Sequence, residues 1–528
     1  MKGRLALVLH AHLPYVRHPE YPRFYEESWF FEAVAECYLP LLTAMAAWNR
    51  DGVPWRLTLT LTPTLCAMLD DALLRSRTER YLVEWLELAA KETERHLLQP
   101  EFCAVAEFYQ ERGAALLEQW RTLRGDLLGA FRRHQDDGHL EILTCAATHA
   151  LLPLWLEQPA AIRAQLAVAK ADYHRHFGRW PDSLWLPECA WDPALEPFLA
   201  EAGLRRFVVE AHGLVFATPR PRCATFAPVV TPGGLTVFGR DPASARQVWS
   251  RHGGYPGDPR YREFHQDLAH DAEWEYLRPH LPGVPERVFT GFKYHRVSAV
   301  AGPKEIYQRV AALAAVQDHA EHFVAHRADV VSAAAAEMPD REPLVVAPFD
   351  AELFGHWWFE GPEFLDAVVR RTATEPRLEL THLREFAAEF PGQQVAVPAR
   401  SSWGEGGHLG VWLDESNAWM LGPVQAATAE MIRLARGFAR TTPPEPIERM
   451  LRQAGRELLL AQASDWPFLV KMATAGAYPA ERFRQHVGNF RLLAAALSGD
   501  PAAAPPELAE LERRHPLFPD LDWRLWAK

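Results

Sequence analysis

The chain has 528 residues, long enough for a large core and, at about 150 residues per domain, for two to four domains or two large units if one is a barrel. Its 56 basic and 68 acidic residues leave a net charge of −12, which disfavours nucleic acid and anionic membrane and leaves a neutral or cationic partner. Six widely spaced cysteines contain no CxxC pair, so neither a disulfide framework nor a zinc knuckle is expected.

In chain order, Leu5–Leu9 is a continuous apolar run that predicts a strand buried on both faces. It is too short for a signal peptide, and no apolar run reaches the ~18 residues that span a bilayer, so a soluble cytoplasmic protein is expected. The strand empties into His10-Ala11-His12, whose alternate spacing points both imidazoles the same way. An amphipathic helix is predicted over about Trp29–Trp48 and an alternating strand over Trp55–Leu61. From about Thr64 to His134 the pattern is helical throughout and reads as an insertion. Strands are then predicted at Gly138–Thr144, Ser183–Leu186, Arg206–Glu210, Val288–Phe292 and Leu344–Ala347, with a helix over Pro159–Phe177. Residues 216–265, rich in proline and glycine, read as a long, partly mobile excursion, and long helices dominate after about 400.

Strand, polar loop and helix recur often enough to predict a parallel α/β architecture, in which reacting groups sit where strands end. His10, His12, Glu141, Glu188, His295 and Asp350 all fall at or just past such ends. Two stretches concentrate the chemistry: Trp185-Leu-Pro-Glu-Cys-Ala-Trp191 and Ala347-Pro-Phe-Asp-Ala-Glu-Leu-Phe-Gly-His-Trp-Trp358. Each sets a carboxylate among proline and aromatic residues. Desolvation there raises a carboxyl pKa, while a neighbour with polar partners stays ionised, so one site obtains an acid and an anion at the same pH. The alternative for each is a structural carboxylate that caps a helix or pairs with arginine. The chain also holds 19 tryptophans, more than a core of this size needs, and aromatic faces are what sugar rings pack against.

Five stretches in order carry a family resemblance: His10–Tyr15, Gly138–Ile142, Trp185–Trp191, Ala347–Trp358 and Leu460–Phe468. Together they resemble glycoside hydrolase family 57, and within it the 1,4-α-glucan branching enzymes, over essentially the whole chain. The resemblance implies an incomplete (β/α)7 barrel over 1–400, with the helical insertion at about 64–137 and the loop excursion at 216–265. It also implies an α-helical C-terminal domain over 401–528. It implies a retaining double displacement with Glu188 as nucleophile and Asp350 as general acid/base, the two carboxyls roughly 5 Å apart. His10, His12, His149 and His356 are implied sugar-binding groups, Trp274, Trp357, Trp403 and Trp412 groove walls, and Asp465 and Trp466 the helical domain's contribution. No cofactor and no metal are implied, and the partner is an α-1,4-glucan, with no nucleic acid or membrane and a monomer favoured.

The resemblance departs at one place. Branching enzymes of this family usually carry, between nucleophile and acid, a mobile loop with a tyrosine at its tip that favours transfer over hydrolysis. Here Leu214–Gly254 contains no tyrosine, and Tyr255 and Tyr261 are the nearby candidates. A mainly hydrolytic α-glucan enzyme is therefore the alternative to branching, since water reaches a less shielded ester more easily. A catalytically silent glucan-binding protein and a metal-dependent hydrolase using His10 and His12 are further readings from other classes.

Overall fold

The computed structural model describes residues 2–250, 253–281, 286–298, 304–499 and 504–528. Nine strands occur among them: β1 (Gly3–Ala11), β2 (Leu57–Leu61), β3 (Leu140–Leu143), β4 (Arg206–Val209), β5 (Val229–Val230), β6 (Thr236–Gly239), β7 (Leu344–Asp350), β8 (Leu378–Leu380) and β9 (Gln394–Val395). The chain divides into two compact units that interleave in sequence. The first comprises Met1–Leu57, Leu69–Glu141 and Asp241–His382, and the second Thr58–Met68, Ile142–Arg240 and Leu383–Lys528. Compactness thus divides the chain differently from a boundary at residue 400, because the C-terminal helices cluster with residues 142–240.

In the first unit β1 is the centre. Leu5 to Leu9 are buried, as a continuous apolar run requires, and β1 pairs in parallel with both β7 and β8. The register with β7 runs from Arg4 opposite Leu344 to His10 opposite Asp350. The helix predicted near Trp29–Trp48 spans Glu27–Arg50 and is interrupted by a π turn at Val34–Tyr38. It is long and apolar enough on average to cross a membrane, although it contains no unbroken apolar run. Here 61% of its most apolar window is buried inside the protein. The helical stretch after β2 comprises four helices, of which Ala72–Arg95 and Pro100–Leu123 form a hairpin.

Two expectations fail in instructive ways. Val288–Phe292 is not a strand. The Asp267 carboxylate accepts from the Thr290 N–H, the Thr290 hydroxyl and the Gly291 N–H, so donors that would join a ladder are taken by a side chain. The 216–265 excursion is also not a loose loop. Its first half supplies β5 and β6 to a four-stranded sheet in the second unit, in the order β4-β6-β5-β9, with β4 and β6 parallel and β5 and β6 antiparallel. Its second half forms the Pro242–Trp249 helix of the first unit. Ser183–Leu186 contributes single parallel bridges, Thr144 to Leu184 and Ser183 to Arg206, rather than a full strand.

Gly355 shows why the second chemical stretch reads as it does. Its φ is +121°, and a Cβ there would stand 1.9 Å from the Glu36 carbonyl oxygen, so only glycine lets this turn lie against the Glu27–Arg50 helix.

The second unit's helices are knotted by one buried carboxylate. Glu457 accepts from His486 Nδ1 at 2.8 Å, His515 Nδ1 at 2.7 Å, Gln453 Nε2 at 2.9 Å and Asn489 Nδ2 at 3.2 Å. Burial alone would push its pKa up, but the charge of His515 and the hydrogen bonds from both imidazoles hold it well below the usual range. Burial, with Arg482 nearby, lowers His486 to about 3. Both folded-state values lie below their unfolded ones. Their contribution is therefore complete above about pH 6.5 and is lost progressively as pH falls through the ordinary His and then Glu ranges. Glu457→Ala, which leaves the imidazoles unpaired, is expected to cost about 3–5 kcal/mol at pH 7 by denaturant unfolding and to remove the part of the acid sensitivity that lies below about pH 4.5.

Candidate active site

In the first unit, β1 and β7 deliver His10 and Asp350 to paired positions because both strands are buried and their register allows one alignment. His12 follows on the same side as His10, with ring centroids 5.8 Å apart. Burial, and then the charge of His12, lowers His10 well below the ordinary imidazole value. Two residues past Asp350, Glu352 accepts from the Tyr38 hydroxyl at 2.5 Å and from the His12 backbone N–H at 3.1 Å. Desolvation is the largest influence on it and the Asp350 charge adds to it. Together they outweigh those hydrogen bonds, and the carboxyl is pushed up to about 8. Sequence reasoning anticipated such a raised carboxyl in this stretch but did not single out Glu352, because its environment is made by Tyr38 and His12.

His356 turns away from solvent to Glu36, with Nδ1 2.6 Å from its carboxylate and 3.9 Å from that of Glu32. Burial pulls the imidazole down, but the hydrogen bond and charge of Glu36 raise it overall. Glu32 is pushed up to about 7, chiefly by burial and against the pull of His356. Lys293, only 3% exposed, is lowered to about 8 by burial and then by Arg262, and its Nζ lies 4.0 Å from the Phe264 ring centroid. Half-buried Glu32 and Glu36 and buried Lys293 form a polar cluster that the sequence pattern did not reveal; carboxylates at i and i+4 of an apolar helix were the available signal. Trp357 is 55% exposed and stacks on Phe264 at 4.7 Å, and Trp274 is half-buried beneath the Arg287 guanidinium.

In the second unit Glu188 sits on a backbone with φ +57°, beside Cys189 at +48°, and its side chain is 19% exposed. Non-glycine residues hold this left-handed conformation only where the surroundings over-determine it, and such sites gather at active centres. Trp403 supplies that constraint by donating its backbone N–H to the Glu188 carbonyl at 2.6 Å, and its ring packs edge-on against Trp185 at 4.9 Å. His149, also left-handed at +56°, has Nδ1 3.7 Å from the Glu188 carboxylate and 2.8 Å from the Ser464 hydroxyl. The Cys145 thiol is raised by burial and further by the charges of Glu188 and Asp465. Glu188, His149 and Asp465 thus share one neighbourhood.

The tryptophans of this unit are more enclosed than groove walls would be. Trp403 is 9% exposed and Trp412 3%, and Trp466 is fully buried with its indole N–H on the Leu460 carbonyl at 2.7 Å. The expectation that Trp466 contacts sugar is corrected: it is a core residue, placed there because the helical turn at Ser464 folds its ring inward against Tyr478 and His486. Tyr255 and Tyr261 are equally fixed. Their hydroxyls lie 2.8 Å from His322 Nδ1 and His319 Nδ1, both on the Arg309–Glu337 helix, so neither is a loop-tip tyrosine. For a metal, Glu457, His486 and His515 have suitable atom types within 4.8 Å, but four donors already occupy that carboxylate, which fits a structural knot.

Residues 6–328 match the family model of glycosyl hydrolase family 57, and residues 423–526 that of the 1,4-alpha-glucan branching enzyme C-terminal region. The chain belongs to glycosyl hydrolase family 57. Among family 57 relatives, a 1,4-alpha-glucan branching enzyme of Thermococcus kodakarensis is 33% identical over 94% of this chain and 74% of its own length. The crystal structure of the alpha-amylase AmyC from Thermotoga maritima superposes with a TM-score of 0.93 at 38% identity, covering 100% of this chain and 99% of that one. A family 57-type branching enzyme from Pyrococcus horikoshii gives 0.89 at 33% identity, covering 100% and 97%. The fold is accordingly the family's incomplete (β/α)7 barrel with a helical C-terminal part.

The raised Glu352 carboxyl makes a checkable demand. Its folded pKa lies above its unfolded value, so keeping it protonated costs stability from about pH 4.5 upward, reaching a maximum near pH 8. Glu352→Gln, which mimics the neutral form and can still accept both hydrogen bonds, is expected to stabilise the protein by on the order of 1–2 kcal/mol at pH 8 and by nothing measurable at pH 4. Thermal unfolding at the two pH values checks this.

Proposed function

We propose that this chain is a retaining α-glucan enzyme that cleaves α-1,4 bonds and passes the freed chain to a 6-hydroxyl of a second glucan. In this reading Glu188 is the nucleophile and Asp350 the general acid/base. The match of residues 423–526 to the branching-enzyme C-terminal region carries the reading of transfer over simple hydrolysis.

The chemistry follows from the surroundings of each carboxyl. Glu188 attacks the anomeric carbon from a backbone turn that cannot relax without breaking the Trp403 hydrogen bond, which keeps the carboxylate aimed. His149, held by Ser464, stands near enough to steady its charge. Asp350 must give a proton to the departing oxygen and recover one from the incoming hydroxyl. Beside it Glu352 keeps its own proton to about pH 8, so the two carboxyls together retain at least one proton at neutral pH. The glycosyl ester on Glu188 then meets either a sugar hydroxyl or water.

Two observations favour a second reading, in which water is the main acceptor. Among the described residues the tyrosines nearest the expected loop are locked onto the Arg309–Glu337 helix, and the Thermotoga maritima structure of 0.93 TM-score is named an alpha-amylase.

Treating amylose and counting new 1,6 linkages against new reducing ends separates the two. Transfer predicts 1,6 linkages in excess, and reducing ends alone would reject it. Glu188→Gln is expected to lose at least ~10³-fold in turnover with an unchanged unfolding curve. Asp350→Asn should lose as much on amylose yet keep far more on α-glucosyl fluoride, whose leaving group needs no proton. Equal losses on both substrates would remove the acid/base assignment.

A further inference from the structure

The first unit contains a pocket that the assignment of Glu188 and Asp350 does not use. It lies between the start of the Glu27–Arg50 helix, the Ala72–Arg95 helix and the residues His280, Leu281, Phe289 and Thr290. Tyr25, Phe31, Tyr81, Trp85 and Phe289 form its walls.

Its charges are arranged unusually. Glu27 is neutralised by Arg77 at 2.6 Å, Glu84 is gripped by Arg23 at 2.8 Å, and Arg80 is spent on the Pro22 carbonyl at 3.0 Å. Against that paired background three polar groups have no hydrogen bond among the described residues. They are the Tyr25 hydroxyl, the Tyr81 hydroxyl and the carboxylate of Glu32, on which His356 at 3.9 Å, Glu36, Lys293 and Asp267 act through their charges. Tyr25 and Tyr81 are both raised by burial and then by the nearby Glu32, so each hydroxyl keeps its proton and remains a donor. A carboxylate that accepts, two phenols that donate and accept, and flat apolar rings on either side are complementary to a neutral ring bearing several hydroxyls. An anion would meet Glu32, and a protein segment would need a longer groove.

We propose that this pocket binds one glucosyl unit of an α-glucan chain, with Glu32, Tyr25 and Tyr81 taking its hydroxyls and Trp85 and Phe289 its apolar faces. The proposal rests on the glucan reading and adds a binding position to it. A polymer held here is retained independently of the bond being broken, and binding energy gained away from the reacting centre is what holds a donor or acceptor chain in register.

The test is a crystal of the full-length Glu188→Gln chain soaked in maltotriose, with turnover of amylose by the unaltered chain measured alongside. A glucosyl ring in the pocket, with Glu32 within hydrogen-bond distance, supports the proposal. So does loss of that ring in the soaked Tyr81→Phe and Glu32→Gln forms at unchanged thermal stability. An empty pocket while the unaltered chain turns over amylose overturns the proposal and leaves the glucan reading standing. An empty pocket together with no action on amylose overturns both. Occupation by tetramethylammonium in place of maltotriose would reassign the pocket as a cation cage and likewise overturn it.

Discussion

The parallel pairing of β1 with β7 is the constraint from which the first unit's chemistry follows. Both strands are buried, so a slip of one residue would turn apolar side chains toward the wrong face, and the alignment has one solution. In that solution His10 stands opposite Asp350 at the ends of the two strands. The chain must turn immediately afterwards, and Gly355 lets the turn lie against the Glu36 backbone. His356 then meets Glu36, and Glu352 meets Tyr38 and His12. One register therefore sets the positions of seven ionisable groups: His10, His12, Glu36, Tyr38, Asp350, Glu352 and His356.

Those groups are withdrawn from water together, and this decides their protonation. Isolated carboxylates buried this deeply would be very costly, and the structure lowers the cost in two ways. Glu36 gains an imidazole and stays ionised, whereas Glu352 gains only neutral donors and keeps its proton to about pH 8. Glu32 lies between these cases at about 7. The second unit uses the first solution at Glu457, where two histidines and two amides surround one carboxylate. A strongly shifted acid in this protein is thus evidence of burial, and of catalysis only where it adjoins a strand end.

Much of the architecture was legible in the chain, for physical reasons that vary by segment. Leu5–Leu9 and Leu344–Ala347 read as strands because burial on both faces demands continuous apolar residues. The Pro159–Phe177 helix was legible from its alanine-rich pattern, with proline at its start and glycine just beyond its end. Val288–Phe292 was misread because strand propensity says nothing about a side chain from elsewhere claiming the backbone donors, as Asp267 does. Residues 216–240 were misread because proline and glycine mark turns between very short strands as well as loops, and β5 has only two residues. Trp466 was misread because composition cannot tell an indole facing a sugar from one facing Leu460.

Local sequence by itself determined the long apolar strands β1 and β7, the long helices, the glycine that turns the chain after Asp350 and the five stretches that mark the family. Each of these depends on residues near one another in the chain, where periodicity and steric limits act directly. Tertiary structure alone decided which carboxyl keeps its proton, which tryptophans face inward, where Tyr255 and Tyr261 are anchored and that Tyr25, Tyr81 and Glu32 meet in an aromatic pocket. Desolvation and hydrogen bonding depend on what stands within a few ångströms in space, and those neighbours come from segments up to several hundred residues away along the chain.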